Sequence, residues 1–154
     1  NRYVGRTFIM PGQSKRENAV RMKLNPVRSH IKDKSVVLVD DSIVRGTTSL
    51  HIVDMVKEFG AKEIHMRIGS TPIIAPCYFG VDLPTRAELI ATGRSVEEIR
   101  ETIHATSLEY ISAEELVESV GIPGEDLCIA CSCGEYPVDI LCEKCLKRKI
   151  TLLD

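Results

Sequence analysis

The 154-residue chain has no tryptophan and only 5% aromatic residues, too few to build the stacking platforms that hold single-stranded nucleic acids. It has no run of about 18 apolar residues able to span a bilayer, and no charged-then-apolar leader opens it. It lacks both a G-x-x-x-x-G-K-[ST] phosphate loop and a G-x-S-x-G elbow, which sets aside the common nucleoside triphosphatase and serine hydrolase readings. No internal repeat or low-complexity tract interrupts it. The expectation is a soluble, cytoplasmic protein with neither a membrane nor a nucleic-acid partner. With 44% hydrophobic residues, the chain can bury the core of one globular domain and carry a tail. It starts at Asn1 with a mixture of apolar and charged residues typical of a protein's interior sequence, so further N-terminal material is expected.

The net charge of −2 hides an asymmetry. Residues 1–34 hold nine Lys and Arg against Glu17 and Asp33, a net of +7, which leaves −9 for the rest. A basic segment joined to an acidic body suits a polyanionic ligand, although a solvated arm would look the same. Six cysteines in a reducing compartment point to metal ligands, catalytic groups or buried thiols rather than a disulfide framework.

The periodicities predict an α/β fold. Residues 1–13 read as irregular, and Ser14 with Glu17 forms a capping box for a short helix that Asn25 and Pro26 stop. Val36-Val37-Leu38-Val39 is a continuous β-branched run, expected to be a strand buried on both faces of a parallel sheet. Thr47 or Thr48 should cap a helix to about Phe59, ended by a left-handed Gly60. A strand near Glu63–Ile68 completes a right-handed βαβ unit. A short helix is expected at Ala87–Ala91 and a short strand at Leu108–Ile111. Capping boxes at Ser95/Glu98 and Ser112/Glu115 predict helices to about His104 and Val120. Beyond Pro123 the composition shifts to cysteine, glycine and charge, giving a loop-rich tail over 122–154.

The chemistry concentrates in Val36-Val37-Leu38-Val39-Asp40-Asp41-Ser42-Ile43-Val44-Arg45-Gly46-Thr47-Thr48. Two carboxylates stand where a buried strand ends, the edge at which open α/β sheets bind ligands. The chain then enters a helix through Gly-Thr-Thr, which offers backbone N–H groups, hydroxyls and the positive end of the helix dipole to an anion. A ligand carrying vicinal hydroxyls, or a bound metal, beside a phosphate would satisfy both halves.

This string resembles the diphosphate-sugar motif of the type I phosphoribosyltransferases. The resemblance implies a partial Rossmann-like parallel sheet with flanking helices, plus a cysteine-rich C-terminal tail. It also implies that Asp40 and Asp41 hold the ribose hydroxyls with Mg2+ alongside, while Ser42, Arg45, Gly46, Thr47 and Thr48 hold the 5-phosphate. Asn1-Arg2-Tyr3-Val4-Gly5-Arg6-Thr7-Phe8-Ile9, Pro11-Gly12-Gln13 and Lys23-Leu24-Asn25-Pro26 look like the flexible loop of the glutamine phosphoribosylpyrophosphate amidotransferases. The family's pattern would put Lys23 on the pyrophosphate and Tyr3, Arg6, Thr7 and Ile9 in the loop and ammonia channel. Its activity is the formation of 5-phosphoribosylamine, pyrophosphate and glutamate from phosphoribosyl diphosphate and glutamine, the first step of purine biosynthesis. On this reading residues 1–121 are the C-terminal portion of the transferase domain, with the loop and short helix in 1–28, and 122–154 the cysteine-rich tail. The N-terminal glutaminase domain is a partner outside this chain, the complete enzyme is a homo-oligomer, and the stretch alone is inactive.

One branch of that family implies a 4Fe-4S cluster at Cys77, Cys128 and Cys131. The spacing alone leaves a structural Zn2+ at Cys128, Cys131, Cys142 and Cys145 open, and Cys133 has no assigned place. A ligand-sensing regulatory module without catalysis is the alternative function. His30, His51, His65 and His104 show no metal-ligand spacing and read as structural or exposed.

Overall fold

A computed structural model describes residues 24–83 and 85–140. Within them the chain runs α1 (Arg28–Ile31), β1 (Ser35–Asp40), α2 (Thr47–Glu58), β2 (Glu63–Ile68), α3 (Val96–Thr102), β3 (Ser107–Tyr110), α4 (Ala113–Val120) and α5 (Ala130–Cys133). Short 3-10 turns lie at Arg86–Glu88 and Gly124–Asp126. The three strands form a parallel sheet in the order β1-β2-β3, with Val36 opposite Ile64, Asp40 opposite Ile68, Met66 opposite Leu108 and Ile68 opposite Tyr110.

Side chains alternate across a strand, and here one sheet face supplies the core. Ile64, Met66, Ile68 and Leu108 pack with Val53 and Val56 of α2, Ile99 of α3, and Ile43, Ile90 and Ile103 from the connections. Ser95 and Ser112 accept hydrogen bonds from the backbone N–H of Glu98 and Glu115, so both expected capping boxes open their helices. α3 ends at Thr102, and Gly121 ends α4 in the left-handed conformation at φ 71°. The turn after α3 is tied to α2: Lys57 Nζ donates to the His104 carbonyl, and His104 Nδ1 lies 2.9 Å from Asp54 Oδ1. Thr106 joins β2 to β3, donating its N–H to the Ile64 carbonyl at 2.7 Å and accepting the Ile64 N–H on its hydroxyl at 2.9 Å.

Four elements differ from expectation. β1 is not buried on both faces, because Val37 and Val39 are 60% and 79% exposed. The described helices that pack on the sheet cover the opposite face, and the neighbours of these valines across the register are His65 and Arg67. That second face carries a polar chain: Ser35 Oγ donates to Glu63, His65 meets Ser107 Oγ at 2.8 Å, and Arg67 reaches Ser107 and Glu109. The helix expected at Ala87–Ala91 is the 3-10 turn Arg86–Glu88, with Leu89 already extended. The N-cap of α2 is Gly46, not Thr47 or Thr48. The cysteine-rich stretch contains a helical turn, α5, and is docked: Ile74 and Ala75 donate their N–H groups to the Cys131 carbonyl at 2.9 and 3.0 Å, and Tyr136 donates its hydroxyl to the Pro76 carbonyl at 2.7 Å. The Tyr136 ring also packs on Tyr78 and Phe79. The expected Ser14 helix lies outside the described residues.

Tyr110 ends β3 in the same row as Asp40 and Ile68, and its buried hydroxyl has no hydrogen-bond partner among the described residues. Burial pushes its pKa up to about 12. A buried, unpaired hydroxyl costs about 1–3 kcal/mol of desolvation, so Tyr110→Phe is expected to leave the melting temperature unchanged or raise it. A fall in thermal unfolding would show that the hydroxyl has a partner.

Candidate functional site

The site is built at the C-terminal end of β1 by chain geometry. Asp40 is the last strand residue, and its carbonyl accepts the Gly69 N–H at 2.9 Å, which fixes the strand end against the end of β2. Its side chain follows the core-facing alternation of Val36 and Leu38 and is half-buried, whereas Asp41 is exposed. Asp40 Oδ1 accepts the Asp41 N–H at 3.0 Å, and Asp41 Oδ1 accepts the Ser42 N–H at 2.7 Å. Loss of solvent raises the Asp40 pKa above its ordinary value; the Asp41 N–H opposes this and the Asp41 charge adds to it. The pair therefore presents one partly desolvated carboxylate and one open to solvent.

Ile43 then drops into the core at 2% exposure, anchoring the loop from below. Gly46 turns the chain into α2 with φ 77°, and a Cβ at this position would overlap Ile90 Cδ1. Both the backbone and the packing require glycine here. Because the N-cap has no side chain, no side-chain hydrogen bond caps α2, and its first turn holds no acidic residue. The first N–H groups of a helix point out of its N-terminus, so here they aim into the 42–46 loop, flanked by the half-exposed Thr47 and the exposed Thr48. Carboxylates, a short loop and the start of an uncapped 12-residue helix thus meet within nine consecutive residues, an arrangement chemically able to accept hydroxyl donors and an anion at one sheet edge.

The segment after β2 reinforces the loop in a way the sequence reading missed. Glu88 Oε1 accepts from Arg45 Nε at 3.2 Å, and the Ile90 N–H donates to the Val44 carbonyl at 2.9 Å. The signal was present, since Thr85-x-x-Glu88 is a fourth capping-box pattern, whose Thr85 N–H and hydroxyl both donate to Glu88 Oε2.

Asp40, Asp41, Ser42, Arg45, Gly46, Thr47 and Thr48 are thus gathered at one sheet edge. Lys23, Tyr3, Arg6, Thr7 and Ile9 lie outside the described residues, as do Cys142 and Cys145. Cys77 and Cys131 are half-buried, and Cys128 and Cys133 exposed; all four are free thiols. The bonds from Ile74 and Ala75 to Cys131 bring the Cys77 segment beside the C-x2-C. Among the described residues, however, no three His, Cys, Asp or Glu side chains are grouped so as to hold a metal ion. Cys77, Cys128 and Cys131 as arranged therefore do not converge on a single metal ion. Magnesium is a different case, because it is commonly held by one or two carboxylates with substrate phosphates and water completing its shell, and the Asp40–Asp41 pair fits that. None of the described helices is long and apolar enough to cross a membrane.

Two substitutions test this geometry. Gly46→Ala forces an L-residue into the left-handed region, which costs about 1–2 kcal/mol, and adds the overlap with Ile90; the expected outcome is a lower melting temperature together with loss of ligand binding. For Asp40, the raised folded-state pKa means that its stabilising contribution is fully present below the unfolded value and is lost as pH rises through the folded value. Asp40→Asn should therefore melt higher than the unsubstituted protein at neutral pH, with the difference vanishing below about pH 4, while ligand binding is lost at every pH.

No protein-family model matches the chain. Among curated proteins it is 56% identical over 149 residues to an amidophosphoribosyltransferase of Methanocaldococcus jannaschii, covering 97% of this chain and 31% of that protein. It is 58% identical over 147 residues to the Archaeoglobus fulgidus protein of the same name, covering 94% and 32%. Among solved structures, a glutamine phosphoribosylpyrophosphate amidotransferase from Bacillus subtilis, complexed with ADP and GMP, matches with a TM-score of 0.77 and 51% identity over 93% of this chain and 32% of that one. The chain spans about a third of the length of these relatives. By sequence and by its parallel sheet with flanking helices, it belongs to the amidophosphoribosyltransferase family, of whose members it corresponds to that third.

Proposed function

We propose that this chain is the phosphoribosyl-diphosphate-binding part of an amidophosphoribosyltransferase, which makes 5-phosphoribosylamine, pyrophosphate and glutamate from phosphoribosyl diphosphate and glutamine. The observation that carries this is the meeting of Asp40 and Asp41 with the uncapped N-terminus of α2 across the Gly46 turn. In this reading Asp40 and Asp41 accept hydrogen bonds from the ribose 2- and 3-hydroxyls. The N–H groups at the start of α2, with the Ser42, Thr47 and Thr48 hydroxyls and Arg45, hold the 5-phosphate. Fixing the sugar at both ends leaves C1 open to ammonia on one side and pyrophosphate on the other, so that most of the acceleration comes from orientation and charge placement. A magnesium ion on the two aspartates would stabilise the charge of the departing pyrophosphate.

Lys23 would contact that pyrophosphate, and Tyr3, Arg6, Thr7 and Ile9 would form the covering loop and ammonia passage. The domain reading places residues 1–121 in the transferase domain and 122–154 in the tail. A glutaminase domain elsewhere in the polypeptide supplies ammonia, the assembly is a homo-oligomer, and its place is the cytoplasm. Cys77, Cys128 and Cys131 as 4Fe-4S ligands are supported by the docking of 131–136 on 71–79. No catalytic step depends on it.

Calorimetric titration of the complete polypeptide with phosphoribosyl diphosphate should give heat that requires Mg2+. Asp41→Asn should weaken binding at least about tenfold, the loss expected when a charged hydrogen-bond acceptor worth roughly 1.5 kcal/mol or more is neutralised. Absence of magnesium-dependent heat from the unsubstituted polypeptide would overturn the proposal.

A further inference from the structure

We propose that Glu88 is a positioning residue for the phosphate loop, holding the Arg45 guanidinium in the orientation that receives the sugar phosphate; this rests on the function proposed above. Three consecutive loop residues are gripped by the segment Thr85–Ile90. Val44 accepts the Ile90 N–H through its carbonyl, Arg45 donates Nε to Glu88, and Gly46 is packed by Ile90 Cδ1. The grip is asymmetric in chemistry: its two ends are a main-chain bond and an apolar contact, and only the middle one carries charge.

The Glu88 carboxylate is itself held. Oε2 accepts the Thr85 N–H at 3.3 Å and the Thr85 hydroxyl at 3.1 Å, leaving Oε1 turned to Arg45 at 3.2 Å. These bonds lower the Glu88 pKa, Thr85 contributing first and Arg45 second, so the group stays ionised. A guanidinium has five N–H donors in a rigid plane, and the contact through Nε uses one of them. The ion pair therefore turns the Nε edge of Arg45 towards Glu88 while leaving the terminal nitrogens to meet an anion. Arg45 is the sole cation between Ser42 and Thr48, so the loop's full positive charge is aimed by this one contact.

Both partners are well exposed, with side-chain exposures of 36% and 49%, and exposed ion pairs contribute little to stability. A merely structural Glu88 would thus have little effect when removed, whereas a positioning Glu88 should act on the substrate. In the complete enzyme, Glu88→Ala is expected to raise KM and Kd for phosphoribosyl diphosphate about tenfold, the lower end of what loss of an orienting partner costs a metal ligand. kcat should stay within about twofold and the melting temperature should not move. Glu88→Gln, which keeps one acceptor oxygen for Arg45 or Thr85, should fall between the two. In an Arg45→Ala background the Glu88→Ala change should add nothing, because the partner through which it acts is gone.

An unchanged KM in Glu88→Ala, a full and additive effect in the Arg45→Ala background, or a fall in melting temperature parallel to the loss of affinity would each overturn the inference. If the unsubstituted enzyme binds the substrate, any of these results counts against Glu88 alone. If it fails to bind with magnesium present, the proposed function falls and this inference with it.

Discussion

The left-handed backbone at Gly46 and its contact with Ile90 set the geometry of everything at the end of β1. The turn leads the 41–45 loop into α2, so the carboxylates of the strand end and the amides of the helix start lie within nine consecutive residues. A side chain at Gly46 would force the Ile90 Cδ1 methyl to shift within the core that also holds Ile43, Ile99 and Ile103. The turn and the core packing share one contact here.

The same edge shows the opposition between stability and binding. Asp40 is taken partly out of water by its core-facing place in β1, and an ionised carboxylate there is disfavoured. A more stable protein would have a neutral group, and on the function proposed above a ligand with hydroxyls to donate, or a cation, would balance that cost. Its neighbour Asp41 is exposed and bonded to the Ser42 N–H.

What the sequence revealed followed from local rules. The β2 span Glu63–Ile68 and the helices opened by Ser95 and Ser112 were legible because apolar alternation and capping boxes act over a few residues. The Asp40–Thr48 site was legible for the same reason, being one continuous stretch. The grip of Glu88 on Arg45 spans 43 residues in sequence, and no local pattern announces which loop a capping-box glutamate will also reach. The exposure of Val37 and Val39 was misread because a β-branched run looks the same whether one face or two are covered. The docking of Cys131 on Ile74 and Ala75 was hidden because its acceptor is a backbone carbonyl, which every residue possesses.

The parallel arrangement of the three strands has a kinetic meaning as well. Each strand meets its neighbour only after a long excursion: Ser35 of β1 reaches Glu63 across 28 residues, and Ile64 of β2 reaches Thr106 across 42. No hairpin can nucleate such a sheet, and the entropy of closing both excursions must be met before any strand pairing rewards it. Among the described residues α2 is the longest helix and can begin to form locally, so the order of assembly should run from helix to sheet, with the aspartate edge among the last features to become native.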